Sequence, residues 1–266
     1  MKSNLMKHGP EGESRAAKVA VVTRDKRDQA SFQGRLLNAG YQPVSMPTIA
    51  KRALLTIRET REWVEQIPDF DWVIFTSPFA VDVLARDSDR TDRQPAFSSF
   101  FNHVKVAAVG PATSKRLNEF GITVHCIPQP HSYSFLPEAM GALTNQSIFL
   151  PRSKKGAPEL IELLEQQGAQ VTEAWTYTTE NRTPQPDEWE NLPSGRFAVL
   201  FSSGTTVRGL HAATENAELK STLDRAYFIC IGPSTANVCQ DLFGRVDAIA
   251  NPHTEAGLIQ ALKTTF

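Results

Sequence analysis

Two stretches of the chain place hydroxyl side chains where an apolar segment meets a helical pattern. FTSPFAVDVL (residues 75–84) does so at Thr76-Ser77, and FSSGTTVRGL (201–210) at Ser202-Ser203-Gly204. VAAVGPATSKRL (106–117) and FICIGPSTANVC (228–239) repeat the arrangement with glycine-proline, and set Thr113 and Thr235 in the first helical turn. Arg24 closes the apolar run VAVVTR (19–24), and Arg152 closes SIFLPR (147–152). The chemistry open to such groups is anion binding. A helix N-terminus carries unpaired N–H groups and partial positive charge. Hydroxyls add donors and glycine permits close approach, so an anion is held without net positive charge on the protein. Helix capping competes with binding for Ser77 and Ser203, and for one residue alone the two roles weigh equally. Matched occurrence in two parts of the chain favours binding.

The matching extends along the chain. Arg24 and Arg152 stand 128 residues apart, as do Gly40 and Gly168. Ser77 and Ser203 are 126 apart, and Gly110–Gly232, Thr113–Thr235 and Pro130–Pro252 are each 122 apart. Five landmarks recurring in order identify two homologous halves. The repeated Pro-His-Ser and Pro-His-Thr need no chemistry from their histidines, because Ser132 and Thr254 are natural caps for the helices that follow.

Those landmarks must be positioned by short elements. Apolar runs at 18–23, 72–76, 104–108, 147–150, 197–201, 227–231 and 246–249 read as strands. Amphipathic stretches at 28–39, 79–86, 112–120, 133–143, 157–167, 204–213, 234–242 and 255–264 read as helices. The alternation, with strands apolar along their whole length, predicts an α/β protein with two doubly wound parallel sheets. The repeated landmarks Arg24, Ser77, Gly110-Pro111, Arg152, Ser203 and Gly232-Pro233 then fall at the carboxyl ends of strands, where such folds bind ligands.

Bulk properties exclude several classes. With 41% apolar and 21% charged residues the chain is a globular protein, and 28 basic against 29 acidic residues argue against nucleic acid or an anionic membrane as partner. The apolar runs are too short to span a bilayer. Residues 1–16 are polar, lack a signal-type apolar core, and are expected to be a disordered tail. Cysteines 126, 230 and 239 show no CxxC spacing, which fits a reducing cytoplasm. Dinucleotide, Walker and zinc-protease motifs are absent, the six histidines lack metal-ligand spacing, and DSDRTDR (87–93) lacks the glycine and glutamate of a calcium loop. No metal or cofactor is expected.

The ordered set VVTR, FTSPFAV, VAAVGPATSKRL, WTYTT, LFSSGTTV, IGPSTA and NPHTEAGLIQAL resembles the uroporphyrinogen-III synthase family over residues 18–264. The resemblance implies a cofactor-independent lyase acting on hydroxymethylbilane, a linear tetrapyrrole with eight carboxylates. The family enzyme removes water, closes the ring and inverts ring D, on the route to haem, sirohaem and cobalamin. The implied fold is two Rossmann-like domains with a cleft between them, domain 1 at 17–42 plus 182–266 and domain 2 at 52–168. Residues 43–51 and 169–181 would form a connecting two-stranded antiparallel ladder.

By the same resemblance Tyr177 would assist departure of the hydroxyl as the catalytic residue. Arg24, Ser77, Thr113, Arg152, Ser203, Gly204 and Thr235 would bind substrate carboxylates. A cytoplasmic monomer is expected. Asp25 after Arg24, Phe79 in SPFAV and the lack of an arginine after Gly156 depart from the family pattern. The competing function class is a two-lobed metabolite-binding or sensor protein without catalysis.

Overall fold

The computed structural model describes residues 18–86 and 96–266. The expected tail and the 87–93 loop lie outside the described residues. The chain begins with β1 (Val19–Val22), α1 (Ala30–Asn38) and β2 (Gln42–Ser45). It continues through β3 (Ile49–Ala53), α2 (Ile57–Gln66), β4 (Trp72–Phe75), α3 (Pro78–Ala85), β5 (Lys105–Ala108), α4 (Pro111–Glu119) and α5 (Leu136–Met140). Then come β6 (Ser147–Ser153), α6 (Glu159–Gln166) and the long β7 (Gln170–Asn181). The final part holds α7 (Pro186–Trp189), β8 (Phe197–Phe201), α8 (Gly204–Ala213), α9 (Ala217–Leu223), β9 (Ala226–Cys230), α10 (Pro233–Phe243), β10 (Ala248–Ile249) and α11 (Glu255–Thr265).

The chain divides into two compact units, one of residues up to Ala50 plus Asn181–Phe266, the other of Lys51–Glu180. Each holds its own five-stranded sheet, ordered β10-β9-β8-β1-β2 in the first and β3-β7-β6-β4-β5 in the second. In the first, β1 pairs in parallel with β2 and β8, and β9 with β8 and β10. In the second, β4 pairs in parallel with β5 and β6, and β6 with β7.

Side chains alternate across each sheet, and both faces are buried. Val19, Val21, Val199 and Phe201 pack with Val207 and Leu210 of α8, while Ala20, Val22, Ala198 and Leu200 pack with Phe32 and Leu36 of α1. Successive helices thus leave β1 and β8 toward opposite faces, which opens a crevice at that strand pair. The second unit does the same. Val73, Phe75 and Phe149 pack with α3, and Trp72, Ile74, Ile148 and Leu150 with α6.

The internal repeat maps β1 on β6, β2 on β7, β4 on β8 and β5 on β9. Strand order is conserved under that mapping, yet each unit draws strands from both repeats. Fine detail follows the offset of 122. Ala107 bridges Cys126 in parallel as Ile229 bridges Ala248. His125 Nδ1 accepts the N–H of Val106 at 3.0 Å, and the Asp247 carboxylate accepts that of Phe228 at 2.7 Å. Gly40 and Gly168 end their helices with φ of 86° and 84°, a left-handed region that costs other residues energy.

β3 lies beside β7 in antiparallel order, Leu54 N–H donating to the Thr176 carbonyl at 2.9 Å and Arg182 N–H to the Thr48 carbonyl at 2.8 Å. Gln42–Ser45 is an edge strand of the first sheet, parallel to β1, and β7 belongs to the second sheet along its pairing with β6. Only the stretch from Ile49 lies beside β7. Met46 and Thr48, both fully buried, continue the contact with the first sheet, their N–H groups donating to the Val22 and Thr23 carbonyls at 3.1 and 2.9 Å, before β3 begins at Ile49. Thr48 is fixed by its hydroxyl, which donates to the Thr206 carbonyl at 2.8 Å. A Cβ on Gly209 would lie 2.1 Å from the Thr48 carbonyl oxygen. Gly209→Ala is therefore expected to destabilise the protein by about 1–3 kcal/mol, measured as a fall in the urea midpoint.

Candidate active site

In the first unit, Arg24, Ser203, Gly204 and Thr235 lie just past the carboxyl ends of the adjacent strands β1, β8 and β9. Thr23, fully buried, donates its hydroxyl to the Leu200 carbonyl at 2.8 Å and clasps β1 to β8 immediately before this region. Arg24 stacks its guanidinium 4.7 Å above the Phe32 ring and pairs with Glu255 in the first turn of α11. Arg35 reaches the same carboxylate. Burial lowers the Arg24 pKa from its ordinary value while Asp28 pulls it up, and the group stays charged. Gln29, buried, donates to the Arg24 carbonyl at 2.7 Å and so braces the loop.

Ser203 is the N-cap of α8, its hydroxyl accepting the Thr206 N–H at 3.3 Å. A Cβ on Gly204 would stand 3.0 Å from a Val238 methyl, so the glycine is what lets α8 lie close against α10. Thr235 is 3% exposed in the first turn of α10, whose N-cap, Gly232, makes no side-chain cap.

In the second unit Ser77, Thr113 and Arg152 occupy the ends of β4, β5 and β6. Ser77 caps α3, its hydroxyl accepting the Phe79 N–H at 3.2 Å. Thr113 repeats Thr235, 3% exposed behind the uncapped Gly110. Both glycine-started helices leave first-turn N–H groups to water or a ligand. Arg152 differs from the others. Its guanidinium points into the protein, 3.1 Å from Glu173 and 2.5 Å from the Ala157 carbonyl oxygen, and its buried Nε has no hydrogen-bond partner.

Tyr177 is placed by a bulge. β6 and β7 pair regularly up to Arg152↔Trp175, and then the register steps from Trp175 to Tyr177. The extra residue, Thr176, is buried and donates its hydroxyl to the Arg152 carbonyl at 3.1 Å. The step puts Ala174 and Tyr177 in the same core cluster, three residues apart on a strand. The ring is 6% exposed and meets Phe79 edge-on, with centroids 5.1 Å apart. Phe79 is thus part of the tyrosine's wall. Sequence reasoning passed over Glu255 and Gln29, and only the Thr254 cap immediately before Glu255 offered a signal.

Ser77 and Ser203 serve as caps whatever else they do. Ser77→Ala and Ser203→Ala are each expected to lower stability by about 1 kcal/mol, seen in urea unfolding, and to add in the double variant because they sit in separate units.

Among the described residues no group of three or more His, Cys, Asp or Glu is placed to hold a metal ion, and no helix is long and apolar enough to cross a membrane. The fold and these strand ends define a protein of two doubly wound parallel α/β units, with polar groups gathered past the carboxyl strand ends. The family model for uroporphyrinogen-III synthase HemD (HEM4) matches residues 30–260. The chain belongs to the uroporphyrinogen-III synthase family, a family of lyases.

Uroporphyrinogen-III synthase of Synechococcus elongatus is 29% identical over 257 residues, covering 92% of this chain and 94% of that protein. That of Chlorobaculum parvum is 25% identical over 258 residues, covering 92% of this chain and all of that one. The crystal structure of the Helicobacter pylori synthetase aligns with a TM-score of 0.64 at 17% identity, covering 93% and 99% of the two chains.

Proposed function

We propose that this protein converts hydroxymethylbilane to uroporphyrinogen III. The family match along nearly the whole chain carries the reading. The four helix mouths at Ser77, Gly110, Ser203 and Gly232 agree with it, because the substrate is a polyanion and the protein has no excess of positive charge. In this reading carboxylates bind to backbone N–H groups within 77–79, 111–114, 203–206 and 233–236, where Pro78, Pro111 and Pro233 have none to donate. Ser77, Thr113, Ser203, Gly204 and Thr235 set the geometry of those mouths, and Arg24, which shares the Glu255 carboxylate with Arg35 past the end of β1, is a further carboxylate partner. Arg152 acts on them indirectly, since its charge is taken by Glu173. The protein acts as a cytoplasmic monomer. Its three cysteines are buried and unpaired, as suits a reducing compartment.

The reaction asks more of shape than of side-chain chemistry. A pyrrole nitrogen pushes hydroxide from the hydroxymethyl carbon and leaves an azafulvene; with one proton the departing group is water. Unguided closure joins the azafulvene to the free carbon of ring D and gives isomer I. Held so that it meets the substituted carbon instead, it forms a spiro intermediate that fragments and recloses with ring D inverted. Positioning carries the selectivity, and the Tyr177 phenol supplies a hydrogen bond or proton to the departing hydroxyl.

The test is incubation with freshly generated hydroxymethylbilane and separation of the isomers. Isomer III in excess is the expected product; binding without turnover would instead make the protein a sensor. Tyr177→Phe is expected to slow turnover by about tenfold to a hundredfold, below the full range of general acid catalysis because the substrate ionises unaided. Isomer III should remain the main product, and the melting curve should stay close to wild type. Unchanged turnover would leave Tyr177 a packing residue. Ser77→Ala and Thr235→Ala are each expected to weaken product binding by only about 1 kcal/mol, measured by titration, because the amides remain.

A further inference from the structure

Beside β7 in the second unit lies a groove of about 470 Å³, lined by Leu54, Leu55, Trp63, Lys154, Ala174 and Trp175, together with Glu59 and Glu173. Its volume is at the low end of small-molecule sites, roughly 300–1,000 Å³, and suits one substituted ring rather than a whole tetrapyrrole. Trp175 is 50% exposed on a strand whose neighbouring residues Ala174 and Thr176 are buried. Trp63 is held in place by stacking on Phe149, with centroids 5.1 Å apart. The groove therefore offers aromatic and aliphatic walls, one of them an indole left in water.

Its charges select the ligand. Glu59 is taken by its own helix, accepting from the N–H and hydroxyl of Thr56 at 2.7 and 2.8 Å. Glu173 is taken by Arg152 at 3.1 Å. Lys154 makes no ion pair among the described residues, and its ammonium lies 5.1 Å from the centre of the Trp175 ring. The cation left to meet a ligand is thus Lys154 on an aromatic wall, while the Glu59 carboxylate, still negative, is turned to the cap of its own helix. Lys154 directly follows β6, and its backbone N–H donates to the Tyr177 carbonyl at 2.8 Å, which ties the groove to the strand ends that carry the candidate site.

We propose that this groove is a subsite for one carboxylate-bearing aromatic ring, the ring against Trp175 and the carboxylate on Lys154. Resting on the function proposed above, the ring is one pyrrole of the linear tetrapyrrole. Trp175 and Lys154 touch substrate and set its affinity without entering the bond-making steps.

Two measurements test this, each with melting curves. The first is the steady-state formation of isomer III by wild type, Lys154→Gln, Lys154→Arg, Trp175→Ala and Trp175→Phe. The second is a tryptophan-fluorescence titration of the same proteins with a monopyrrole bearing acetate and propionate side chains. Lys154→Gln and Trp175→Ala should raise KM and the monopyrrole Kd by about three- to tenfold with kcat little changed, whereas Lys154→Arg and Trp175→Phe stay near wild type. A wild type that makes isomer III while Lys154→Gln and Trp175→Ala leave KM and Kd unchanged would overturn the subsite and keep the function. A wild type that makes no isomer III, yet loses monopyrrole binding on Lys154→Gln, would keep the groove and overturn the function.

Discussion

A parallel strand covered by helices on both faces can place polar chemistry only at its ends. Every residue of β1, β4 and β8 is buried, and the first hydroxyl side chains come immediately past them, at Thr23, Thr76-Ser77 and Ser202-Ser203. The helices that follow begin there, so donors of the backbone and of the side chains collect at one edge of each sheet. Where neighbouring strands send their helices to opposite faces, as at β1–β8 and β4–β6, the loops part and leave room for a ligand. The candidate residues owe their grouping to this constraint more than to any local motif.

The repeat adds a second constraint. Because each unit takes strands from both halves of the sequence, neither half can close a sheet by itself. β1 is completed by β8, with Ala20 opposite Ala198. The first unit therefore cannot form before the chain has passed through the whole of the second, a long-range closure of the kind that slows folding. The matched N–H acceptors show how loosely chemistry is held at such positions. His125 in one unit and Asp247 in the other do the same structural work at the base of equivalent strands, which gives His125 a role that needs neither a metal nor proton transfer.

How much was legible in the sequence follows from where the signal resides. The apolar strands, the caps Ser77 and Ser203 and the glycine-proline starts of α4 and α10 are local features, and their residues can be picked out without a partner. α2 was missed because half of IRETREWVEQ is charged and it buries only Thr60 and Val64, so its stripe is narrow. α9 was missed for its brevity. The division of 42–53 between two sheets depends on the burial of Met46 and Thr48, which no pattern within that stretch announces. Arg152 looks like Arg24 in sequence, yet one turns inward to Glu173 on the next strand and the other stacks on Phe32. The bulge that orients Tyr177 belongs to the pairing of β6 with β7 and is invisible in either strand alone.

Under the proposed reaction, the choice of amides over cations has a consequence for turnover. Lysine and arginine side chains lose rotamer freedom when they clamp a ligand, whereas a helix N-terminus is ordered before the ligand arrives. A polyanion held at several such termini is positioned with little ordering cost, and each contact stays modest in strength. Substrate and product carry the same carboxylates, so strong ion pairs at every one would bind both equally and slow release without lowering the barrier. Modest contacts of fixed geometry favour instead the one arrangement in which the azafulvene meets the substituted carbon. A tyrosine walled by Phe79 and held by a bulge fits the same logic, since its value lies in where the hydroxyl is held rather than in how acidic it is.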